Sequence, residues 1–232
     1  MYRQYVVTYG SLTLFLVYAK TDPQAKGKGI SAFVVEKGFE GFAKGKKFAK
    51  LGWHGSPTGE LIFENCPVPR RNLIGEVNQG VKILLSGLNS ERLVVSAQCL
   101  GLARASLEEA YKYARERKQF GKSISEFQMV SEKLARMAAK TEAVRTMVWS
   151  QAFSMAKKGP AGMTFDIACT KLLASEVALE NALVATQIFG GYGYIREFPV
   201  ERYLRDARIM TIGAGTSEIM CHIIFRELER NL

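Results

Sequence analysis

The chain has 232 residues, of which 47% are hydrophobic and 23% are charged, a balance that excludes intrinsic disorder and collagen-like structure and allows one good core or two smaller ones. The net charge of +10 does not by itself select nucleic acid, because the basic residues are spread along the chain and mixed with acids. A polyanionic small molecule, such as a nucleotide or a pantetheine phosphate, suits this charge equally well.

The cysteines and histidines are scattered and form no C-x-x-C pair, so we expect neither a zinc site nor a disulfide framework. Buried free thiols in a reducing compartment fit best. The longest unbroken apolar stretches, residues 12–19 and 30–35, are too short to span a membrane. The first residues do not lead into a signal-peptide pattern. We therefore expect neither export nor a membrane span.

The first 72 residues have the character of strands and turns. Strands are predicted at residues 5–8, 12–19, 30–36 and 61–63. The Gly/Lys segments 26–29 and 38–47 separate them as turns. Since a strand begins only a few residues from Met1, this part is expected to be the C-terminal part of a larger β-domain, and the chain the back end of something longer.

Residues 73–232 have the character of long helices. Periodic apolar patterns predict helices at residues 80–117, 126–158, 165–189 and 217–229, with glycine-rich stops after the second and the third. Four helices with short connections indicate an antiparallel bundle. The predicted fold class is therefore α+β, mostly α, with a partial antiparallel β-domain followed by a four-helix up-down bundle. On the second helix the predicted core face comprises Val130, Leu134, Met137, Ala138, Val144, Met147 and Val148.

One acid lies in an otherwise apolar and small-residue helical run, residues 83–95. At about 100° per residue Glu91 has mostly apolar or small neighbours on the helix surface, whereas Lys82, Asn89 and Ser96 face away. We therefore expect Glu91 to be shielded from water. A shielded carboxylate accepts a proton more readily than an exposed one, as a general base must. The alternative is a structural acid that reaches solvent or pairs with a basic side chain of another helix.

Four motifs follow one another in the helical part. They are Arg117-Lys118-Gln119-Phe120-Gly121-Lys122, Phe189-Gly190-Gly191-Tyr192-Gly193-Tyr194, Tyr203-Leu204-Arg205-Asp206-Ala207 and Ile212-Gly213-Ala214-Gly215-Thr216-Ser217-Glu218. In this order and spacing they closely resemble the C-terminal half of the acyl-CoA dehydrogenases. Segments 50–56 and 63–69 resemble the middle β-domain of the same family. The resemblance therefore covers nearly the whole chain.

The resemblance implies a reaction and a base. In this family a carboxylate removes the pro-R α-proton of an acyl-CoA thioester, and the β-hydrogen leaves as hydride to N5 of FAD. Most members carry that carboxylate where this chain has Ala214. A minority, similar to isovaleryl-CoA dehydrogenase, carry it on the first long helix, at the position of Glu91. Because the loss and the gain compensate one another, we predict that Glu91 is the base of a dehydrogenase acting on short or branched acyl-CoA.

The resemblance also implies binding roles. For the substrate, the matching residues are Asn89, Ser90, Arg92, Ala214 and Gly215, with the backbone N–H of Ala214 as a donor to the thioester oxygen. For FAD, they are Thr8, Arg117, Phe120, Gln128, Gln187, Ile188, Phe189, Gly190, Gly191, Thr216, Ser217 and Glu218. Arg117 and Gln128 match contacts to the diphosphate and adenine end across a dimer interface, and residues 187–191 match the partner's share of the same cofactor. Thr8 ends a Val-Val-Thr where the family has Trp-Ile-Thr, so the flavin-stacking Trp is missing.

Structural alternatives exist for the same motifs. Arg117 could be a cation at a helix C-terminus, Gly190 and Gly191 a helix stop, and residues 215–217 an N-cap. The functional alternatives are a non-catalytic family member serving as an oligomerisation or nucleotide-binding module, and an oxidase-type relative that passes electrons to oxygen.

For partners, the resemblance implies electron-transfer flavoprotein as acceptor and a homo-oligomer, a dimer of dimers, without nucleic acid or metal. We expect a cytoplasmic protein, or one of the mitochondrial matrix in a eukaryote.

Overall fold

The computed structural model describes residues 2–6 and 13–231. The chain divides into two compact units, Met1–Gly87 and Leu88–Leu232. The boundary lies within the first long helix, whereas composition alone places the change from strands to helices at residues 72 and 73.

The first unit contains six strands: β1 (Tyr2–Val6), β2 (Leu14–Lys20), β3 (Ile30–Glu36), β4 (Phe42–Lys47), β5 (Gly59–Phe63) and β6 (Leu73–Ile74). They form two antiparallel three-stranded sheets, in the orders β1-β5-β4 and β2-β3-β6. The first four residues of β2 alternate, with Phe15 and Val17 buried and Leu14 and Leu16 exposed. This alternation directs one face of the strand into an aromatic core that also contains Phe42.

Strand β4 corrects the sequence prediction, which took residues 38–47 for a turn. Its residues are mainly lysine, glycine and alanine, so no apolar alternation identifies it. It is nevertheless a strand because β5 supplies its hydrogen-bonding partner, and its position at the edge of the sheet tolerates exposed lysines. The two-residue strand β6 was missed for the related reason that it is too short to show a period.

Five helices follow: α1 (Gly80–Glu116), α2 (Gln128–Lys158), α3 (Thr164–Phe189), α4 (Val200–Ala207) and α5 (Ser217–Asn231). A small hairpin, β7 (Lys118–Gln119) with β8 (Lys122–Ser123), joins α1 to α2. The mostly helical α+β class and the four long helices are confirmed. Helix α4 was missed because its eight residues include four charged ones, two of which, Glu201 and Arg205, pair at 2.7 Å across one turn.

Helix α3 lies at the centre of the second unit, in contact with α2, α4 and α5. Of the core face predicted for α2, Leu134, Met137, Val144 and Val148 are buried. Ala138 is exposed, so that part of the prediction is wrong. Among the described residues the cluster around Met137 includes residues of α1, α2, α3 and α4: Ala110, Ala114, Leu134, Ala185, Ile188, Phe189 and Val200.

Helix α3 together with its following turn, Thr164–Tyr194, is long and apolar enough to cross a membrane by length and composition. Half of its most apolar window is buried in the protein, as in the central helix of a bundle, which meets the same criteria. This helix contains no long unbroken apolar run, because single polar residues interrupt its sequence, so run length alone did not identify it.

Replacing a buried methionine of α2 tests this packing. Met137→Ala is expected to lower the free energy of unfolding by about 2–5 kcal/mol, because the side chain is 2% exposed and its removal leaves a cavity. Met129→Ala, on the same helix but 75% exposed, should change it by less than about 0.5 kcal/mol. Guanidinium unfolding followed by helical circular dichroism measures both. Equal effects of the two substitutions would contradict the assigned core.

Candidate active site

The turn that precedes α5 has an unusual backbone. Ala214 has φ of +54° and Gly215 has φ of +99°, both in the left-handed region. For alanine this conformation costs about 1–2 kcal/mol, because Cβ approaches the following carbonyl oxygen. Contacts elsewhere must therefore hold the turn.

Two cations from two helices contact the carbonyls of this turn. Nε of Arg92 on α1 donates to the Ala214 oxygen at 3.2 Å, and Nζ of Lys171 on α3 donates to the Gly215 oxygen at 2.6 Å. Arg92 is only 7% exposed and Lys171 is fully buried. The turn is therefore bonded to the bundle from both sides.

Burial shifts the titration of the groups around Lys171. It lowers the pKa of Lys171 itself, while the neighbouring Cys99 sulfur acts in the opposite direction. Burial raises the pKa of the Cys99 thiol to about 12, a rise that the positive charge of Lys171 moderates. Burial also lowers the pKa of Arg92, which the charge of Glu91 partly offsets. Burial therefore keeps the Cys99 thiol neutral near Lys171.

Glu91 is exposed, so the prediction that the fold shields it is wrong. The inward face of α1 instead carries Arg92, Leu93 and Ser96, and Ser96 had been predicted to face away. The helical periodicity predicted a broad apolar face that included Glu91. In the folded chain the neighbouring face, with Arg92, Leu93 and Ser96, is the buried one. Glu91 nevertheless lies directly before Arg92, the residue that contacts Ala214.

The other predicted substrate residues are placed differently from one another. Asn89 Nδ2 donates to the Pro160 oxygen at 3.2 Å and to Thr164 Oγ1 at 3.4 Å, at the connection between α2 and α3. Ser90 is exposed, with its hydroxyl 3.8 Å from Met155 Sδ. Nε of Arg92 donates to the Ala214 oxygen and the side chain is buried, so in this structure Arg92 positions the turn. Its predicted contact with CoA stays a prediction.

A second group of predicted residues surrounds a cavity of about 550 Å³. The residues that line it are Tyr113, Arg117, Gln119, Ile124, Ile188, Phe189, Gly190, Gly191, Tyr192 and Ile195. Arg117 and residues 188–191, which belong to two different predicted motifs, thus line the same cavity of one chain. Ring contacts form part of its wall: the Tyr113 and Phe189 rings stack with centroids 4.1 Å apart, and the Arg117 guanidinium lies 5.9 Å from the Tyr192 ring centroid.

Sequence reasoning missed the tyrosines, Gln119, Ile124 and Ile195 of this cavity. The signal that could have found Tyr192 and Gln119 was their position inside the two motifs themselves. Six described residues of the predicted cofactor set do not line it. Gln187 is exposed, Gln128 begins α2 in an exposed position, Phe120 is 93% exposed at the tip of the β7–β8 hairpin, and residues 216–218 lie at the start of α5.

The start of α5 combines capping with a buried polar atom. Thr216 Oγ1 accepts a hydrogen bond from the Ile219 N–H at 3.3 Å, as an N-cap does. The pKa of Glu218 is lowered by hydrogen bonds that its carboxylate accepts from the Glu218 backbone N–H and from the Thr216 side chain. Within the described part of the chain, Ser217 Oγ is buried without a hydrogen-bond partner. Thr8 lies outside the described residues.

Gly190 ends α3, and the cysteines form no disulfide. Gly190 caps α3 with φ of +60° and an N–H bonded to the Gln187 oxygen, so it is a helix stop as well as part of the cavity. All four cysteines are free, but of these only Cys99 is buried. In the described ranges, 2–6 and 13–231, no group of three or more His, Cys, Asp or Glu side chains could hold a metal ion.

Comparisons with known proteins define the class. Residues 78–229 match the family model of the acyl-CoA dehydrogenase C-terminal domain. Over 226 residues the chain is 46% identical to a probable acyl-CoA dehydrogenase of Mycobacterium tuberculosis, covering 97% of this chain and 58% of that protein. Over 218 residues it is 48% identical to the mitochondrial isovaleryl-CoA dehydrogenase of Oryza sativa subsp. japonica, covering 94% and 53%.

The same class appears among solved structures. Butyryl-CoA dehydrogenase from Megasphaera elsdenii superposes with a TM-score of 0.92 at 40% identity, over 98% of this chain and 60% of that one. The chain therefore belongs to the acyl-CoA dehydrogenase family, as its motifs indicated. It spans a little over half the length of these relatives.

Members of this family are FAD flavoproteins, and the residues present here fit such a group. The guanidinium of Arg117 and the exposed backbone at Gly190 and Gly191 border a cavity whose other lining residues are mostly aromatic and aliphatic. A diphosphate suits the arginine, and an aromatic heterocycle suits the stacked rings. The unpartnered Ser217 hydroxyl supplies one further hydrogen-bonding group.

The buried Cys99 thiol predicts a loss of stability at alkaline pH. Its pKa is about 12 in the folded chain against 9.0 as a reference, so the unfolded chain releases the proton first and stability falls as pH rises above 9. Between about pH 8 and about pH 10 the wild type should lose about 1 kcal/mol more than Cys99→Ala. Denaturant unfolding with a reductant present measures this difference. Cys221→Ala, at an exposed thiol, should follow the wild type; an identical pH response of Cys99→Ala and the wild type would refute the assignment.

Proposed function

We propose that this chain supplies the base, and part of the substrate and flavin sites, for the α,β-dehydrogenation of a short or branched acyl-CoA thioester. The observation that carries the proposal is the 3.2 Å hydrogen bond from Arg92 Nε to the Ala214 oxygen. It brings the turn of α1 that contains Glu91 against the position at which most family members carry their catalytic carboxylate. Glu91 on α1 can therefore replace the carboxylate that is missing at Ala214.

The chain's own residues have distinct tasks in this proposal. Glu91 accepts the α-proton, and the backbone N–H of Ala214 holds the thioester oxygen, where negative charge develops. Bound FAD would supply the acceptor for the β-hydrogen. Arg117 and the backbone of Gly190 and Gly191 would hold the diphosphate of that cofactor, and Thr216 and Ser217 at the start of α5 would contribute a further contact.

The exposure of Glu91 sets a requirement on the substrate. Val94 on the same helix face is 60% exposed and Ile212, near the turn, is 46% exposed. An acyl chain that covers these apolar side chains would remove water from the carboxylate in the same event. The substrate, and not the fold alone, would then make Glu91 a stronger base.

The relatives support the substrate class and the partners. Isovaleryl- and butyryl-CoA dehydrogenases are the named enzymes, so a short or branched acyl group is the first choice. We propose electron-transfer flavoprotein as the acceptor and a dimer of dimers as the assembly. The bacterial relative favours the cytoplasm and the plant relative the mitochondrial matrix, and we propose the cytoplasm.

Bleaching of bound flavin tests the proposed base. The purified chain, supplied with FAD, should show a flavin absorbance band that isovaleryl-CoA or butyryl-CoA bleaches under anaerobic conditions. Glu91→Gln should slow bleaching by at least about a thousandfold while FAD stays bound, because the proton acceptor is lost. Glu116→Gln, an exposed acid at the end of the same helix, is the matched control and should bleach normally.

The other outcomes separate the alternatives. A chain that oligomerises and never binds flavin would support a non-catalytic module. Bleaching followed by rapid recovery in air would support an oxidase-type relative. Undiminished bleaching in Glu91→Gln would move the base to another residue.

The role of Arg117 can be tested without any turnover. Arg117→Met should weaken the binding of FAD by about tenfold or more, because a charged hydrogen bond to a diphosphate is lost. Arg115→Met, at another exposed arginine near the end of α1, keeps the cavity intact and should bind FAD normally. Fluorescence titration or calorimetry measures both affinities. Equal affinities of the two variants would remove Arg117 from the cofactor site.

A further inference from the structure

Arg92 and Lys171 are the only buried charged side chains in the described part of the chain. Although they come from different helices, they donate to adjacent carbonyls of the same turn. The mechanism proposed above uses no buried lysine. We infer that Lys171 is a positioning residue that, together with Arg92, clamps the 214–215 turn in its left-handed conformation.

Charge pairing does not account for the burial of Lys171. The charged and titratable groups that act on it are Cys99 and Arg92 from α1, Glu176 from α3 and Glu218 from α5. Both glutamates are exposed, and Arg92 repels it. The close buried partner of its ammonium group is the Gly215 oxygen at 2.6 Å. Burying a lysine costs free energy unless its ammonium group is hydrogen-bonded. The bond to the Gly215 oxygen therefore accounts for the burial of Lys171.

Packing fixes Lys171 beneath the turn. Ala168, one turn earlier on α3, packs against Met220 and Ile223 of α5, and all three are buried. A Cβ added at Gly215 would lie 2.7 Å from Met220 Cε, so the turn already rests closely on this contact. The α3–α5 contact thus determines where the ammonium group can reach.

The clamp has a consequence for the backbone that it holds. Ala214 and Gly215 both lie in the left-handed region, and the two donors bond the carbonyls of the two peptide groups on either side of the Gly215 Cα. Without the Lys171 bond the Gly215 carbonyl loses its buried partner and the turn becomes free to rotate. That this rotation would misplace the Ala214 N–H for catalysis rests on the proposed function; the clamp itself does not.

Amide hydrogen exchange of the full chain tests the clamp without flavin or substrate. Lys171→Met keeps the length and removes the charge and donors, so the amides of Ile219 and Met220, which donate to Thr216 directly after the turn, should exchange at least about tenfold faster, with other helical segments unchanged. Lys171→Arg, which restores a charged donor, should return most of the protection. Lys158→Met, at the exposed last residue of α2, is the matched control and should exchange as the wild type does.

Each outcome bears on the inference. If Lys171→Met does not fold, Lys171→Gln, which retains a neutral donor, replaces it with the same expectation of faster exchange. Unchanged exchange at Ile219 and Met220 of a folded variant would overturn the clamp, as would equal acceleration over the whole bundle, which indicates loss of stability alone. Where the dehydrogenase activity is present, Lys171→Met should lower kcat more than it raises KM. If Glu91→Gln bleaches flavin normally, the proposed function fails while the exchange result stands.

Discussion

Two buried cations bonded to neighbouring carbonyls are the interaction on which this site depends. The buried side chains of Arg92 and Lys171 lose their hydration, and they donate hydrogen bonds to the carbonyls of Ala214 and Gly215 instead. Because a buried cation needs a partner, each bond is as important to the helix that carries the cation as to the turn that carries the carbonyl. Helices α1, α3 and α5 are thereby fixed at one point, which no apolar contact could do with the same directionality.

Local signals were sufficient to predict the long helices from the sequence. Gly159 and Gly190 adopt positive φ at the ends of α2 and α3, and Thr216 caps α5, so the stops and starts are encoded in the residues that perform them. Strand β4 has no such code. Its lysines and glycine form a strand because β5 lies beside it, and that pairing is a property of the whole sheet.

The site was predictable where a motif carries its residues and not where tertiary packing chooses among faces. Arg117 and residues 188–191 meet at one cavity as the motifs indicated. The helix around Glu91 does have a partly apolar surface, as predicted. A broad apolar surface does not determine which of its residues become buried, and Glu91 is exposed. Lys171 was overlooked for a different reason: lysine is almost never fully buried, so composition gives a strong and here misleading expectation of exposure.

An exposed Glu91 is more suitable for a base than the shielded acid that the sequence suggested. A carboxylate buried permanently in an apolar helix face would hold a proton before any substrate arrived and could not accept another. One that faces solvent in the free protein, beside an exposed Val94, is open until an acyl chain covers that apolar surface. Desolvation would then coincide with substrate binding, when a stronger base is useful. Arg92, bonded to Ala214 and adjacent in sequence to Glu91, keeps this turn of α1 beside the Ala214 turn, so the proposed role of Glu91 requires no movement of the helix.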